Sequence, residues 1–153
     1  MKEIERKYLV SGDFYGCISK SISITQGYLS AHPERTVRIR LADDKAYLTI
    51  KGKRSGISRL EWEKEIDHKE AQELLELCGR IIRKTRHIIE YNNLIIEVDE
   101  FHGKDQGLVI AEIELDKESD LPELPDWLGK EVSYDKKYYN SWLSEHPFNK
   151  WNK

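Results

Sequence analysis

The sequence predicts an α+β fold dominated by antiparallel strands, and three observations carry the prediction. Up to eight segments alternate apolar with polar or charged residues at a period of two. Short polar pairs, Asp43-Asp44 and Asn92-Asn93, separate alternating runs at hairpin spacing. One clear helical stripe stands between the strands, and a second, aromatic-rich helical pattern lies near the C-terminus. At 153 residues the chain is long enough for one domain with a real core, and a single domain over residues 1–153 is expected.

Taken in order, Met1 to Val10 reads as the first strand. Glu3, Glu5 and Lys7 then share one face, with Ile4, Arg6 and Tyr8 on the other. That charged face suits either a solvated edge strand or a site that sets a hard cation beside an anion. Ser11-Gly12-Asp13 breaks the pattern, and residues 13–20 form a short helix or loop. Ile22 to Leu29 is a second strand with Ile22, Ile24, Gln26 and Tyr28 on one face, and His32-Pro33-Glu34 turns the chain. Val37, Ile39 and Leu41 oppose Thr36, Arg38 and Arg40 in the third strand, and Ala46 to Lys51 alternates again. A hairpin about Asp43-Asp44 would place Arg40 opposite Tyr47, Arg38 opposite Thr49 and Thr36 opposite Lys51, so that basic faces coincide.

Gly52 to Ser58 is a basic loop. In Arg59 to Ile66, Glu61, Glu63 and Glu65 face away from Leu60, Trp62 and Ile66. Asp67 and Glu70 form a capping box for a helix whose stripe is Ala71, Leu74, Leu75 and Cys78, with Gly79 as its stop. Ile81 to Tyr91 and Leu94 to Phe101 flank Asn92-Asn93. A two-residue turn there sets Arg86 opposite Asp99 and Ile88 opposite Glu97. Leu108 to Leu115 is the last strand, with Glu112 and Glu114 opposite Val109, Ala111, Ile113 and Leu115. After the Pro-containing stretch 121–125, Asp135 to Ser144 reads as a closing helix using Tyr138, Tyr139, Trp142 and Leu143. Trp62 and the C-terminal Tyr and Trp residues are expected in the core.

A charged fraction of 35% with a net charge of only −3 argues against a general footprint for nucleic acid or an anionic membrane. Cys17 and Cys78 lack metal-ligand spacing and make no disulfide framework, which fits a reduced cytoplasmic setting. The five histidines form no ligand motif and are expected at the surface. The chain opens on charges, and no apolar run approaches membrane-spanning length, so a soluble cytosolic protein is expected, as a monomer or homodimer.

Alternation alone is met by an open sheet with one wet face, and less readily by a barrel with charges lining its bore and apolar residues outside. Chemistry shifts that balance. Unpaired carboxylates a few ångströms apart repel by about 4 kcal/mol at an effective dielectric near 20. Glu3 and Glu5, with Glu112 and Glu114, repeat one Glu-x-Glu spacing and could converge on a divalent ion, while the Arg and Lys residues could clamp a polyanion.

Glu3-Ile4-Glu5-Arg6-Lys7 resembles the Glu-x-Glu-x-Lys signature of the CYTH superfamily, the triphosphate tunnel metalloenzymes. Gln26-Gly27-Tyr28-Leu29, Val37-Arg38-Ile39-Arg40, Leu48-Thr49-Ile50-Lys51-Gly52, Lys84-Thr85-Arg86, Glu97-Val98-Asp99-Glu100-Phe101 and Ala111-Glu112-Ile113-Glu114-Leu115 follow in that family's order. Gly129 to Ser133, with Tyr138 and Asn140, resembles its C-terminal segment. The resemblance covers nearly the whole chain and is nearest to short bacterial tripolyphosphatase-type members.

It implies an eight-stranded antiparallel β-barrel, a tunnel with a charged interior and helices packed outside. It further implies Mg²⁺ or Mn²⁺ held by Glu3, Glu5, Glu112 and Glu114, with phosphates bound by Lys7, Arg38, Arg40, Lys51, Lys84 and Arg86. Lys53 and Arg59, beside the basic loop, are weaker candidates. Lys7, Lys84, Asp99 and Glu63 are the implied catalytic group: Asp99 would orient Arg86, and Glu63 a lysine or the attacking water, with charge balancing in the bore as the plainer role for both. Tyr28 would donate to a phosphate or to Lys84, or pack. The implied activity is hydrolysis of triphosphates, chiefly inorganic tripolyphosphate with nucleoside triphosphates as poorer substrates. A class IV adenylyl cyclase, a thiamine triphosphatase and a polyphosphate-binding module without turnover are the alternatives.

Overall fold

Two tight turns set the registers on which the barrel depends. In the computed structural model, which describes residues 1–151, Asp43 adopts a positive φ of 53°, and Asn92 and Asn93 adopt 46° and 66°. Asn92 and Asn93 are the two consecutive left-handed residues that a type I′ hairpin turn needs, and in the other turn Asp43 alone takes that region; asparagine and aspartate tolerate it. Strand β3 (Arg35–Ala42) therefore pairs with β4 (Lys45–Gly52), placing Arg40 opposite Tyr47, Arg38 opposite Thr49 and Thr36 opposite Lys51. Likewise β6 (Ile82–Tyr91) pairs with β7 (Leu94–Phe101), with Arg86 opposite Asp99 and Ile88 opposite Glu97. Both registers are those predicted from the turn residues.

The remaining strands close the ring. They are β1 (Lys2–Val10), β2 (Ile18–Ser30), β5 (Ser58–Ile66) and β8 (Val109–Glu114). Around the barrel the order is β5-β4-β3-β2-β6-β7-β8-β1, and β1 returns to β5. Every neighbouring pair is antiparallel. The β1–β5 seam is short, holding Lys2–Leu60, Glu3–Arg59 and Ile4–Ser58. Beyond it β9 (Leu128–Glu131) takes over the free edge of β1 at Tyr8 and Val10, while β8 pairs with the other edge from Glu5 to Leu9. The eight-stranded antiparallel barrel expected from the resemblance is the fold observed.

The apolar faces turn outward and need cover. On one side helix α1 (His68–Leu75) packs Ala71, Leu74 and Leu75 on Ile39, Leu41, Ala46, Leu48 and Ile66. Asp67 caps it, accepting from the backbone N–H groups of Lys69 and Glu70. The helix ends at Leu75, so Gly79 lies beyond it; successive turns carry the chain on and still press Cys78 against the sheet. A Cβ on Gly27 would lie 2.7 Å from Cys78 Cβ, which explains the glycine in β2. On the other side Ile4, Ile89, Ile96, Val98 and Ile113 are covered by Phe14, Ile57, Leu115 and Trp127, which come from irregular segments rather than helices. Full burial of each such isoleucine contributes about 1.5–3 kcal/mol.

Three expectations change here. Trp62 is half-exposed on the outer face, because α1 covers only part of that sheet. His87 is buried, bridged by Ser21 Oγ at 2.7 Å and Glu100 Oε1 at 2.6 Å. The closing helix is broken: a 3-10 turn at Lys136–Tyr138 is followed by extended Tyr139 (φ −83°, ψ 129°) and the one-turn α2 (Asn140–Leu143). Leu143 seats in an apolar cluster with Ile82, Phe101, Leu108 and Ile110, joined by Tyr138, Phe148 and Trp151. Ile82, Phe101 and Ile110 share strand parity with Lys84, Asp99 and Glu112, so the charged bore ends on an apolar floor. No helix among the described residues is long and apolar enough to cross a membrane.

Candidate active site

Strand parity brings the charged side chains into one cavity of about 210 Å³. That is smaller than the ~300–1,000 Å³ clefts that bury drug-sized ligands, and suits a compact polar one. Lys7, Arg38, Arg40, Lys51, Arg54, Arg59, Lys84 and Arg86 line it together with Glu3, Glu5, Glu61, Glu63, Glu97, Glu112 and Glu114. In the ring of eight, β1 and β8 stand across the bore from β2 and β3. The Glu-x-Glu pairs of β1 and β8 thus oppose Arg38 and Arg40.

On the acidic side Glu5 lies directly opposite Glu114 in register, and Lys7 opposite Glu112. Burial, then Glu112, pushes the Glu5 carboxyl up; burial, then Glu3 and Glu5, does the same to Glu114. Lys7 Nζ sits 2.8 Å from Glu112 Oε1 and 3.5 Å from Glu5 Oε1. Burial opposes charge on both Lys7 and Glu112, but each partner outweighs it, so the ammonium is held up and the Glu112 carboxyl well below the usual range. Lys51 Nζ binds Glu3 at 2.8 and 3.0 Å and lies 3.5 Å from Glu61.

On the basic side Asp99 is buried and takes Arg86 through both oxygens, at 2.8 and 3.0 Å, and Lys84 Nζ at 2.7 Å. Arg86 also reaches Glu97 at 3.4 Å. Burial, with Arg38 and Arg86 nearby, lowers the Arg40 guanidinium to about 9. Burial again, against the pull of Asp99 and with Arg86 and Arg40 adding to it, lowers the Lys84 ammonium to about 7. Arg38 Nη2 donates to Thr49 Oγ1 at 3.1 Å and lies 3.6 Å from Glu63, whereas its Nε is buried with no partner among the described residues. Cations crowded, desolvated and short of acceptors are what a polyanion would relieve.

The structure places several side chains differently from the sequence reading. Lys53 is exposed and lies outside the lining, because β4 ends at Gly52 and the alternation that would aim it inward ends there. Arg54 reaches the bore instead, its guanidinium 3.8 Å from the Tyr139 ring centroid. Glu63 accepts from Thr49 Oγ1 at 2.7 Å and pairs with an arginine, Arg38, rather than a lysine. Tyr28 lines the cavity, while Lys84 is bound by Asp99 and Asn140. Arg59 is buried in the lining, donating to Thr36 Oγ1 and Gly52 O. Tyr139, Asn140 and Ser141 also line the bore and were not read as site residues; the Tyr-x-Asn resemblance at 138–140 was the only signal for them.

The donors suit a hard divalent cation: four carboxylates on two paired strands, with Glu5 and Glu114 pushed toward their neutral forms by burial and by neighbouring carboxylates. As the side chains stand, no three acids among the described residues surround one point, since Lys51 holds Glu3 and Lys7 holds Glu112.

A closed antiparallel barrel with acids and bases opposed across its bore defines the class, and the chain belongs to the CYTH domain family, whose model matches residues 1–141. It is similar to the inorganic triphosphatase of Acetivibrio thermocellus, 48% identical over 149 residues and 96% of both chains. It is also similar to that of Nitrosomonas europaea, 33% identical over 150 residues, covering 94% of this chain and 97% of that one. A solved inorganic triphosphatase superposes with a TM-score of 0.66 at 30% identity, over 93% of each chain. A candidate adenylyl cyclase from Hippeastrum with a dominant triphosphatase activity shares the fold, with a TM-score of 0.59 at 20% identity over 75% of this chain and 80% of that one.

Proposed function

We propose that this protein is a divalent-metal-dependent triphosphatase. It cleaves inorganic triphosphate to pyrophosphate and orthophosphate and accepts nucleoside triphosphates less well. One observation carries the reading: across a single bore the crowded carboxylates of β1 and β8 face the crowded guanidiniums of Arg38 and Arg40 on β3. A cation on one side and a polyanion on the other relieve both. The relatives named inorganic triphosphatase support the same substrate class.

In this reading Glu3, Glu5, Glu112 and Glu114 would hold Mg²⁺ or Mn²⁺. When bound, the ion supplies charge neutralisation and polarisation of phosphoryl oxygens. Arg38, Arg40, Lys51, Lys84 and Arg86 bind the phosphate chain, with Lys7 between the acids and the substrate. Their hydrogen bonds offset the charge that moves onto the leaving oxygen as water attacks the terminal phosphorus and the P–O–P bond breaks. Asp99 aims Arg86 and Lys84. Glu63 aims Arg38 from a position open enough for solvent, its side chain 41% exposed. Tyr28 and Tyr139 are the aromatic residues of the lining, and the relatives named inorganic triphosphatase set hydrolysis ahead of cyclisation. One domain, residues 1–153, carries the activity, and the free thiols Cys17 and Cys78 suit a reducing cytoplasm.

Incubation with inorganic triphosphate or ATP, with Mg²⁺, Mn²⁺ or EDTA, followed by ion chromatography, tests the proposal. Metal-dependent orthophosphate and pyrophosphate from triphosphate are expected. Cyclic AMP from ATP would transfer the site to a cyclase, and no turnover of either would leave a binding module.

A further inference from the structure

The C-terminal segment places one polar side chain among the tunnel's cations. We propose that Asn140 is a working part of the site: its amide oxygen positions Lys84, and its amide nitrogen donates to a phosphoryl oxygen of the substrate. This inference rests on the triphosphatase reading for the identity of the ligand.

The orientation of the amide follows from hydrogen-bond polarity. Lys84 and Arg40 can only donate. Lys84 Nζ lies 2.8 Å from the Asn140 side chain, so the group facing it is the oxygen, Oδ1. Arg40 Nε lies 2.9 Å from the Gln26 side chain, so Gln26 faces it with Oε1 and turns Nε2 toward Asn140, at 2.8 Å. Arg40, Gln26, Asn140 and Lys84 thus form one chain of donors and acceptors, fixed in sense from both ends. Oδ1 of Asn140 is saturated by two donors, and Nδ2, which bonds to nothing among the described residues, is left on a residue that lines the cavity.

Backbone geometry supports the assignment. Tyr139 is extended, its hydroxyl donates to Ser133 O at 2.9 Å, and its ring carries Arg54, while Leu143 is buried in the floor. Asn140 is therefore held on both sides, and breaking the predicted helix at Tyr139 is what delivers it to the bore. Around Lys84, Asp99 from β7 is an anion in contact, and Arg86, Arg40 and Glu112 act from β6, β3 and β8. Asn140 is the neutral acceptor that completes its shell without adding charge.

The test compares wild type with Asn140→Ala and Asn140→Asp. The readouts are KM and kcat for inorganic triphosphate, thermal midpoint, and the titration of the Lys84 side chain followed by carbon-13 NMR. Asn140→Asp keeps an acceptor for Lys84 and Gln26 but replaces the donor with an anion. It is expected to melt close to wild type, to raise the Lys84 titration by about one to three pH units, and to raise KM at least tenfold. Asn140→Ala is expected to raise KM and to lower kcat.

A lower melting point in Asn140→Ala with KM, kcat and the Lys84 titration unchanged in both variants would show that Asn140 only docks the segment, and would overturn the proposal. Wild-type protein that fails to hydrolyse triphosphate overturns the activity reading alone. Asn140 is then judged by the Lys84 titration and by calorimetric affinity for triphosphate in EDTA. A shifted titration with at least tenfold weaker binding supports it, and unchanged values in both variants overturn it.

Discussion

Replacing Asp99 with asparagine removes the one anion that Arg86 and Lys84 share. The carboxylate is 1% exposed and accepts three charge-assisted bonds of 2.7 to 3.0 Å. Asparagine keeps one oxygen and turns an N–H donor toward the other cation, leaving two buried positive groups facing each other. Deleting one partner of a buried ion pair costs about 3–5 kcal/mol. In a chain of this length each kcal/mol moves the melting point by about 2–4 °C, so a fall of about 6–20 °C is expected.

The pH dependence is also specified. Burial alone would raise the Asp99 carboxyl, but Arg86 and Lys84 outweigh it and hold it well below the usual carboxylate range. A depressed folded-state value means the stabilisation is fully present above the unfolded-state value near 4 and is lost as pH falls below it. Urea denaturation of wild type and Asp99→Asn should therefore show a gap that widens from pH 8 to about 5, as Lys84 beside Asp99 takes up its proton in wild type first, and that narrows below about pH 4. A gap under about 1 kcal/mol at pH 7, or one that narrows between pH 7 and 5, would refute the reasoning.

Three further outcomes are expected. Because Glu5 is held above its unfolded-state value, its stabilisation is lost as pH rises through the folded one; Glu5→Gln should therefore fold as well as wild type in EDTA at pH 7. Its turnover should fall to background, and Mn²⁺ should raise its melting point less than wild type's; an equal rise would remove Glu5 from the metal site. With Lys84 lowered to about 7, triphosphate affinity in EDTA should weaken between pH 6 and 9, and Lys84→Arg should flatten that slope in calorimetry. An identical slope in both proteins would place the titrating group elsewhere. Arg54→Ala should raise KM several-fold while Lys53→Ala leaves it within about twofold, since only Arg54 lines the bore; the reverse order would contradict the placement of the basic loop.

Much of this was legible because a strand's period of two is rigid. Once Asp43-Asp44 and Asn92-Asn93 are taken as turns, Arg38 must share a face with Lys51 and Arg86 with Asp99, and the structure agrees. Parity could not say whether that face was wet or enclosed, because the closing contact between β1 and β5 is only three residue pairs long. Parity gave no guide where the strand ends, so Lys53 was named as a weaker candidate beside the basic loop while Arg54, which lines the bore, was not named. The reading failed in the C-terminal segment, where aromatic spacing suggested a continuous helix. Tyr139 stays extended there because its hydroxyl is bound by Ser133 and Arg54 lies on its ring. Trp62 was taken as core because it sits on the apolar face, but what covers that face is a matter of tertiary packing.

The most direct measurement is the anomalous scattering of Mn²⁺ in wild-type crystals soaked briefly with inorganic triphosphate. The expected map has manganese bounded by carboxylates of β1 and β8, with the phosphate chain running from it toward Arg38, Arg40, Lys84 and Arg86. Manganese or phosphate bound reproducibly outside the bore, with the tunnel unchanged, would contradict the assignment of the charged interior as the site.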